Sequence, residues 1–288
     1  MNTETLKTFV LLSEVKNYTQ TANQLFVAQS TVTNRIQELE LELGKQLIYR
    51  NHKGLTLTSE GLLFLDYARR ILELMDSASE SLAHLGSFPH SIRIGTTNTI
   101  YDCHLAPLIN TYLTQGNQLS VTIGHSLPLI QMLQDKTIDL AFTYVPFSKN
   151  RVECRLFATD PLLLVTHPKN TSYQKGILLS ELSTIPYYYC DFNFQDLGSF
   201  IKDLFPTGHS FPLIIDRSAN LLPFLLSGDG YSFLPKSLVQ PYLAQGTLIE
   251  IPLLDFTLPP ISSYLLLPNA SHKKEDIQFF LATLSNQE

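Results

Sequence analysis

The sequence predicts an all-α head closed by a short strand hairpin, then one long helix, then an α/β body of two subdomains. Three observations lead there. Apolar residues recur at helical spacing from Leu6 to Leu43, a proline-free stretch runs from Thr58 to Leu85, and beyond residue 88 apolar runs of strand length alternate with helical ones.

Composition sets the frame. A chain of 288 residues exceeds one ordinary core and, at roughly 100–200 residues per domain, divides into two or three units. Hydrophobic content of 44% with 16% charged residues reads as globular and not disordered. The longest apolar runs, such as 221–226, fall far below the roughly 18 residues that suggest a membrane span, so no membrane partner is expected. MNTETLKTFV shows no basic region followed by an apolar core, so no secretory signal is expected and the expected location is cytoplasmic. Cys103, Cys154 and Cys190 have neither metal nor disulfide spacing and read as buried thiols in a reducing compartment. No metal and no cofactor is expected.

In the head, Leu6, Phe9, Val10 and Ser13 form one stripe of a first helix. Asn17-Tyr18-Thr19 breaks it, and Thr19 is the expected N-cap of a second helix carrying Ala22 and Leu25. Phe26-Val27-Ala28 reads as a tight turn. In a third helix Val32, Ile36, Leu39 and Leu43 are expected to be buried, leaving Gln29, Ser30, Thr31, Thr33, Asn34 and Arg35 at or near its exposed N-terminal half, and Gly44 ends it. Two short helices joined by a tight turn, the second opening on such side chains, suit the reading of base edges in a major groove. Residues 47–57 then read as two strands around a glycine-containing tip, a wing whose Arg50, His52 and Lys53 would meet phosphates. This makes residues 1–58 a winged helix-turn-helix with expected DNA contacts at Thr19, Gln29, Ser30, Thr31, Thr33, Asn34, Arg35, Arg50, His52 and Lys53. Charge adds little. The chain carries −6 overall; residues 1–58 hold six Lys/Arg and five Asp/Glu, +1, and the rest holds 14 basic against 21 acidic residues, −7.

Thr58 is a good N-cap for the long helix, with Glu60 near its positive end. Leu65, Ala68, Leu72, Met75, Ser79 and Leu82 are spaced 3, 4, 3, 4, 3, a seam of nearly three heptads. Residues 59–87 are therefore expected to be a linker that pairs subunits through Leu65, Ala68, Leu72, Met75 and Leu82, giving a homodimer or homotetramer. The other reading of the same stripe is a helix packed on its own domain. Gly86-Ser87-Phe88-Pro89 reads as a hinge.

In the body, residues 88–288, expected strands lie at 91–95, 119–124, 139–144, 162–166, 186–190, 213–216, 231–234, 248–251 and 263–267, with helices at 105–113, 127–134, 197–204, 218–226, 236–244 and 273–284. This alternation argues for layers around mainly parallel sheets. Ligands of such folds sit beyond the carboxyl ends of strands. The first strand runs into Thr96-Thr97-Asn98-Thr99, Ser126 follows the second, Tyr144 ends the third, and Ser218 follows a strand of the other half. Thr97, Asn98, Thr99, Ser126, Tyr144 and Ser218 are thus the expected ligand contacts; turns and caps are the plainer role for Thr/Asn clusters.

The run Leu6–Phe9, Asn17–Ala22, Leu25, Val27–Ile36, Leu39-Glu40, Leu43-Gly44, Leu47, Arg50, Leu57-Thr58 and Gly61 resembles the N-terminal signature of the LysR family of transcription regulators. Ala28 and Thr33 stand where that family usually has serine, Asn34 where arginine is frequent, and Lys136 where glycine is common. Ile138–Phe142 and Gly228–Pro235 are similar to stretches of its effector-binding region. The resemblance implies a two-subdomain α/β effector domain resembling periplasmic binding proteins, with subdomain I at about 88–161 plus 267–288 and subdomain II at about 162–266. Thr96-Thr97-Asn98-Thr99 is also similar to the threonine-rich anion cradle of members that govern sulfur assimilation. The partners implied are a double-stranded DNA operator, a small-molecule effector with an anion among the candidates, a second copy of the chain, and RNA polymerase as a further candidate. Enzyme readings lack support: GxSxG, GxxxxGK[ST] and HExxH are absent, and no two histidines stand four apart. Gly228-Asp229-Gly230 lacks a third glycine and reads as a turn. The alternative left open is a small-molecule binding protein or enzyme with an N-terminal association domain.

Overall fold

The computed structural model describes residues 1–51, 54–83, 86–149, 151–190, 197–271 and 273–285. The chain divides into two compact units, Met1–Leu85 and Gly86–Glu288.

In the first unit, α1 (Thr3–Val15) is capped by Asn2, whose side chain accepts the Thr5 N–H at 2.9 Å. The second helix, α2 (Tyr18–Gln24), is capped by Asn17 and not by Thr19: Asn17 has extended backbone and its carboxamide accepts the Gln20 N–H at 3.0 Å, which places Thr19 in the first turn. Next, α3 (Gln29–Leu43) buries Val32, Ile36 and Leu39 and ends at Gly44, where φ is +63°. Leu43, expected in that buried stripe, is 37% exposed because the helix stops there and the chain turns away. The wing strands β1 (Ile48–Asn51) and β2 (Gly54–Leu57) are antiparallel. They are held to α3 by Glu40, whose carboxylate accepts the Leu47 and Ile48 N–H groups at 2.8 and 3.1 Å.

The long helix α4 (Ser59–Ala83) starts where the Thr58 hydroxyl accepts the Gly61 N–H at 2.8 Å. Its expected seam is corrected over the first half. Ala68 has no exposed surface and sits in the core with Phe9, Leu12 and Ile36, while Leu65 and Leu72 pack against that core. The helix covers the open side of α1, so its first apolar stripe is consumed within its own unit. Met75 and Leu82 remain exposed.

The second unit begins with β3 (Ser91–Thr96), the short α5 (Asn98–Ile100), a π-helical turn at Tyr101–Leu105, α6 (Ala106–Thr114), β4 (Gln118–Ile123), α7 (Ser126–Gln134), β5 (Leu140–Thr143) and β6 (Val152–Asp160). It continues with β7 (Leu162–Thr166), β8 (Tyr188–Cys190), α8 (Leu197–Asp203), β9 (Leu213–Ile215), a 3-10 turn at Ser218–Leu221, α9 (Leu222–Ser227), β10 (Tyr231–Pro235), α10 (Lys236–Ala244) and β11 (Ile249–Glu250). Finally β12 (Ile261–Pro268) rejoins the first sheet and α11 (Lys274–Ser285) packs on it.

The five-stranded sheet runs β4-β3-β5-β12-β6, and a three-stranded sheet runs β10-β7-β11 beside the pair β8-β9. Mainly parallel sheets were the expectation; the observed sheets are mixed. Strand β3 is parallel to β4 and β5, and β8 to β9, but β12 is antiparallel to β5 and β6, and β7 to β10 and β11. The reason is the crossover: the chain leaves the first sheet along β6 and returns along β12, and two such neighbours oppose each other. The sequence reading placed no strand at β6, an edge strand with Leu156 64% exposed, whose polar and apolar residues do not alternate cleanly. Pairing of β12 begins at Ile261 with Asp160, so residues 261–266, assigned by sequence to the second subdomain, hydrogen-bond within the first sheet.

Asp139 pins this sheet. Its buried carboxylate accepts the Arg93 N–H at 2.9 Å and the Arg93 guanidinium at 2.8 Å, with the Lys273 ammonium 3.6 Å away. None of the three cysteines is in a disulfide; Cys190 is buried as expected, whereas Cys103 and Cys154 are only half-buried. Among the described residues no helix is long and apolar enough to cross a membrane, and no group of three or more His, Cys, Asp or Glu is placed to hold a metal ion.

Candidate functional site

Two features gather the expected functional residues, one in each unit. In the first, burial of Val32, Ile36 and Leu39 turns the opposite side of α3 outward. Gln29, Ser30 and Asn34 are exposed, Thr31 and Thr33 are half-exposed, and Thr19 is exposed beside them, its hydroxyl 3.4 Å from the Gln29 side-chain oxygen. Ala28 occupies the N-cap with no side-chain bond to the first-turn N–H groups, so this end of α3 keeps its positive partial charge available to an anion.

Arg35 is a correction. Its guanidinium donates to the Thr8 hydroxyl at 3.0 Å and lies 3.3 Å from the Glu4 carboxylate, so it ties α3 to α1 and does not point free of the domain. The geometry follows from the helix: Arg35 lies next to Ile36 on the flank that packs against α1. The wing backbone is formed at Arg50, but its side chain, together with His52 and Lys53, lies outside the described residues.

In the second unit, Thr97, Asn98, Thr99, Ser126, Tyr144 and Ser218 all line one cleft, joined by Ile123, Gly124, His125, Asp216 and Arg217. The fold brings them there for local reasons. Gly95, the penultimate residue of β3, faces Ile138 and Leu129; a Cβ there would stand 2.5 Å from one side chain and 2.9 Å from the other, so only glycine lets α7 lie this close to the strand. Strand β3 then delivers Thr97 in extended conformation at the start of α5. Ser126 begins α7, with no side-chain cap at His125, and its hydroxyl accepts the Tyr144 N–H at 3.2 Å. From the other sheet Ser218 reaches across, its hydroxyl 2.9 Å from that of Thr99 in a buried contact between positions 119 residues apart.

The chemistry of the cleft is that of a hydrogen-bond donor set. Burial raises the Tyr144 hydroxyl well above the usual tyrosine range, helped by the neighbouring Cys103 and Asp160 side chains and opposed by hydrogen bonding with Thr99 and Thr97, so the phenol stays protonated and can donate. The Thr97 hydroxyl is buried with the Tyr144 hydroxyl as its neighbour and makes no other hydrogen bond among the described residues, which leaves it capacity for a ligand or water. Arg217 and Asp216 are the charged lining residues. The half-open cleft has a volume of about 60 Å³, room for only a few water-sized groups. Ile123, Gly124 and His125 were missed by sequence reasoning, while Arg217 lies in the 216–218 turn that it had facing the site. Ile123 ends β4 and Gly124 and His125 follow it, the position used to select Ser126, so strand-end position could have found them.

Comparison with known proteins gives a consistent result. The family described as "Bacterial regulatory helix-turn-helix protein, lysR family" matches residues 3–62, and "LysR substrate binding domain" matches residues 86–287. The chain is 24% identical over 290 residues to the HTH-type transcriptional regulator CitR of Bacillus subtilis (strain 168), covering 98% of this chain and 99% of that one. It is 29% identical over 257 residues to the regulator YusT of the same organism, covering 88% and 85%. Among solved structures, CbnR, a LysR family transcriptional regulator, superposes with a TM-score of 0.74 at 20% identity over 99% of each chain. Full-length CbnR complexed with its target DNA superposes with a TM-score of 0.73 at 20% identity over all of both chains.

Proposed function

The chain belongs to the LysR family of DNA-binding transcription regulators, proteins that are not enzymes, and from that premise we propose that a small anion held in the Thr97–Ser218 cleft sets how its helix-turn-helix engages an operator. The observation that carries this reading is a donor-rich cleft whose two walls come from different sheets and meet where the Thr99 and Ser218 hydroxyls stand 2.9 Å apart. A ligand that accepts from Thr97, Thr99 and Tyr144 gains contacts on both walls, and by its differential affinity for two wall spacings it shifts their equilibrium. The small space favours an inorganic oxyanion or a short carboxylate.

Operator contacts fall to Gln29, Ser30, Thr31 and Asn34, with Thr19 and Thr33 beside them and the wing at Arg50, His52 and Lys53. A two-fold operator needs two recognition helices at fixed separation. Pairing runs through the second apolar stripe of α4, Leu63, Tyr67 and Leu74, which are 64%, 55% and 39% exposed on the side away from Ala68. The bound regulator acts in the cytoplasm, where its effect on RNA polymerase is exerted.

The experiment is a thermal-shift screen at constant ionic strength with sulfate, phosphate and carboxylates of up to four carbons. At least one raises the wild-type melting temperature and leaves Thr97→Val unmoved; equal shifts in both proteins, or none in either, overturn the proposal.

A further inference from the structure

Phe26 occupies the turn between α2 and α3 in the left-handed region, with φ +54°, and its side chain is 94% exposed, more than any other large apolar side chain among the described residues. Each fact runs against what folding alone selects. Left-handed backbone is disfavoured for a bulky residue and is ordinarily filled by glycine or asparagine. The turn itself asks nothing of the ring: it closes through backbone bonds, the Phe26 N–H to the Asn23 carbonyl at 3.2 Å and the Val27 N–H to the Ala22 carbonyl at 3.0 Å. The ring takes no place in the core that collects Val27, Tyr18 and Ala22 around it. A strained, solvated aromatic side chain that gains nothing within its own domain points to an intermolecular contact.

Its position selects the partner. Phe26 stands three residues before Gln29, the first residue of α3, beside the exposed Thr19, Gln29 and Ser30. Docking this end of α3 into a major groove carries the α2–α3 turn to the groove edge. A duplex offers two apolar surfaces there, the carbon face of deoxyribose and the C5-methyl of thymine. We propose that Phe26 is a DNA-contacting residue, its ring packing on one of these surfaces next to the base pairs that the N-terminal turn of α3 reads. The inference goes beyond the polar contact set and rests on the same docking of α3.

The test uses the full chain and a duplex from upstream of its own gene, with Phe26→Asn and Phe26→Gly. Both residues accept left-handed backbone, so the melting temperature is unchanged or higher, while the dissociation constant rises about ten-fold as the ring's apolar contact is lost. The slope of log affinity against log salt stays as in the wild type, because no phosphate contact is removed. Replacing thymines by uracil one at a time locates the contact: a loss at one position that disappears in Phe26→Asn assigns it to a methyl group, and no such position assigns it to sugar. Affinity within two-fold of wild type overturns the proposal. So does a loss accompanied by a changed oligomeric state, which would seat the ring on a second copy of the chain.

Discussion

Arg35 illustrates how one side chain can be claimed by two roles. Its sequence position beside Asn34 suits a groove contact, yet its guanidinium is spent on Thr8 and Glu4. Arg35→Ala is therefore expected to lower unfolding stability by about 1–2 kcal/mol, read as a fall in the urea midpoint, whereas Asn34→Ala leaves that midpoint in place and weakens operator binding. Thr97 shows the reverse economy. Thr97→Val keeps the shape and removes the hydroxyl beside Tyr144, so the urea-unfolding stability of the ligand-free protein stays within about 1 kcal/mol of wild type while its response to anions is lost. The threonine cluster was legible in the sequence because short polar residues directly follow a strand. The hydroxyl contacts of that cluster with Tyr144 and Ser218 were not, since they depend on atoms that arrive from remote parts of the chain. Arg35 was misjudged for the same reason: Thr8 and Glu4 are 27 and 31 positions away.

At the level of elements, helical periodicity identified the three head helices and α4, but not which stripe of α4 faces which neighbour. Two apolar stripes run along that helix, and spacing alone cannot tell the one that closes over Phe9 and Leu12 from the one left outward. Contacts with α1 decide it in favour of Leu65, Ala68 and Leu72 as core. Pairing through the outward stripe predicts that Leu63→Glu with Leu74→Glu halves the mass of the assembly in light scattering and leaves the monomer folded by circular dichroism. The start of α4 carries its own constraint: a Cβ on Gly61 would collide with the Leu47 carbonyl. Gly61→Ala is expected to cost about 1–3 kcal/mol, measured by denaturant unfolding. Strand β6 escaped notice because edge strands lack the apolar alternation that marks strands with a buried face. The mainly parallel expectation came from the alternation of strands and helices, which does not register that β6 and β12 run in opposite directions.

Across the whole molecule, the division into an all-α winged head and an α/β body was written in the change of apolar period near residue 88. That Thr99 and Ser218 would line one site from opposite walls was expected; their direct 2.9 Å contact was not, because they meet only after the chain has crossed into the second sheet and built it. Burial also gives the body a pH limit. Tyr112, Tyr144 and Tyr187 are all raised above the ordinary tyrosine value by burial. Raised acids hold their protons in the folded state after the unfolded chain has released them, so their contribution is intact below about pH 10 and falls as pH rises beyond it, by up to roughly 1.4 kcal/mol per unit for each group. Urea midpoints measured between pH 7 and 11 should be flat across neutrality and drop steeply above pH 10.

The central claim is that cleft and DNA are linked. Linkage is reciprocal: an anion that favours one arrangement of the cleft must change the free energy of DNA binding by the amount that DNA changes its own. The direct measurement is a fluorescence anisotropy titration with duplex DNA from upstream of the gene, at fixed ionic strength, with and without a saturating amount of the anion giving the largest thermal shift. Wild-type affinities in the two arms should differ several-fold, and those of Thr97→Val should coincide. Equal affinities in the two wild-type arms would contradict the account.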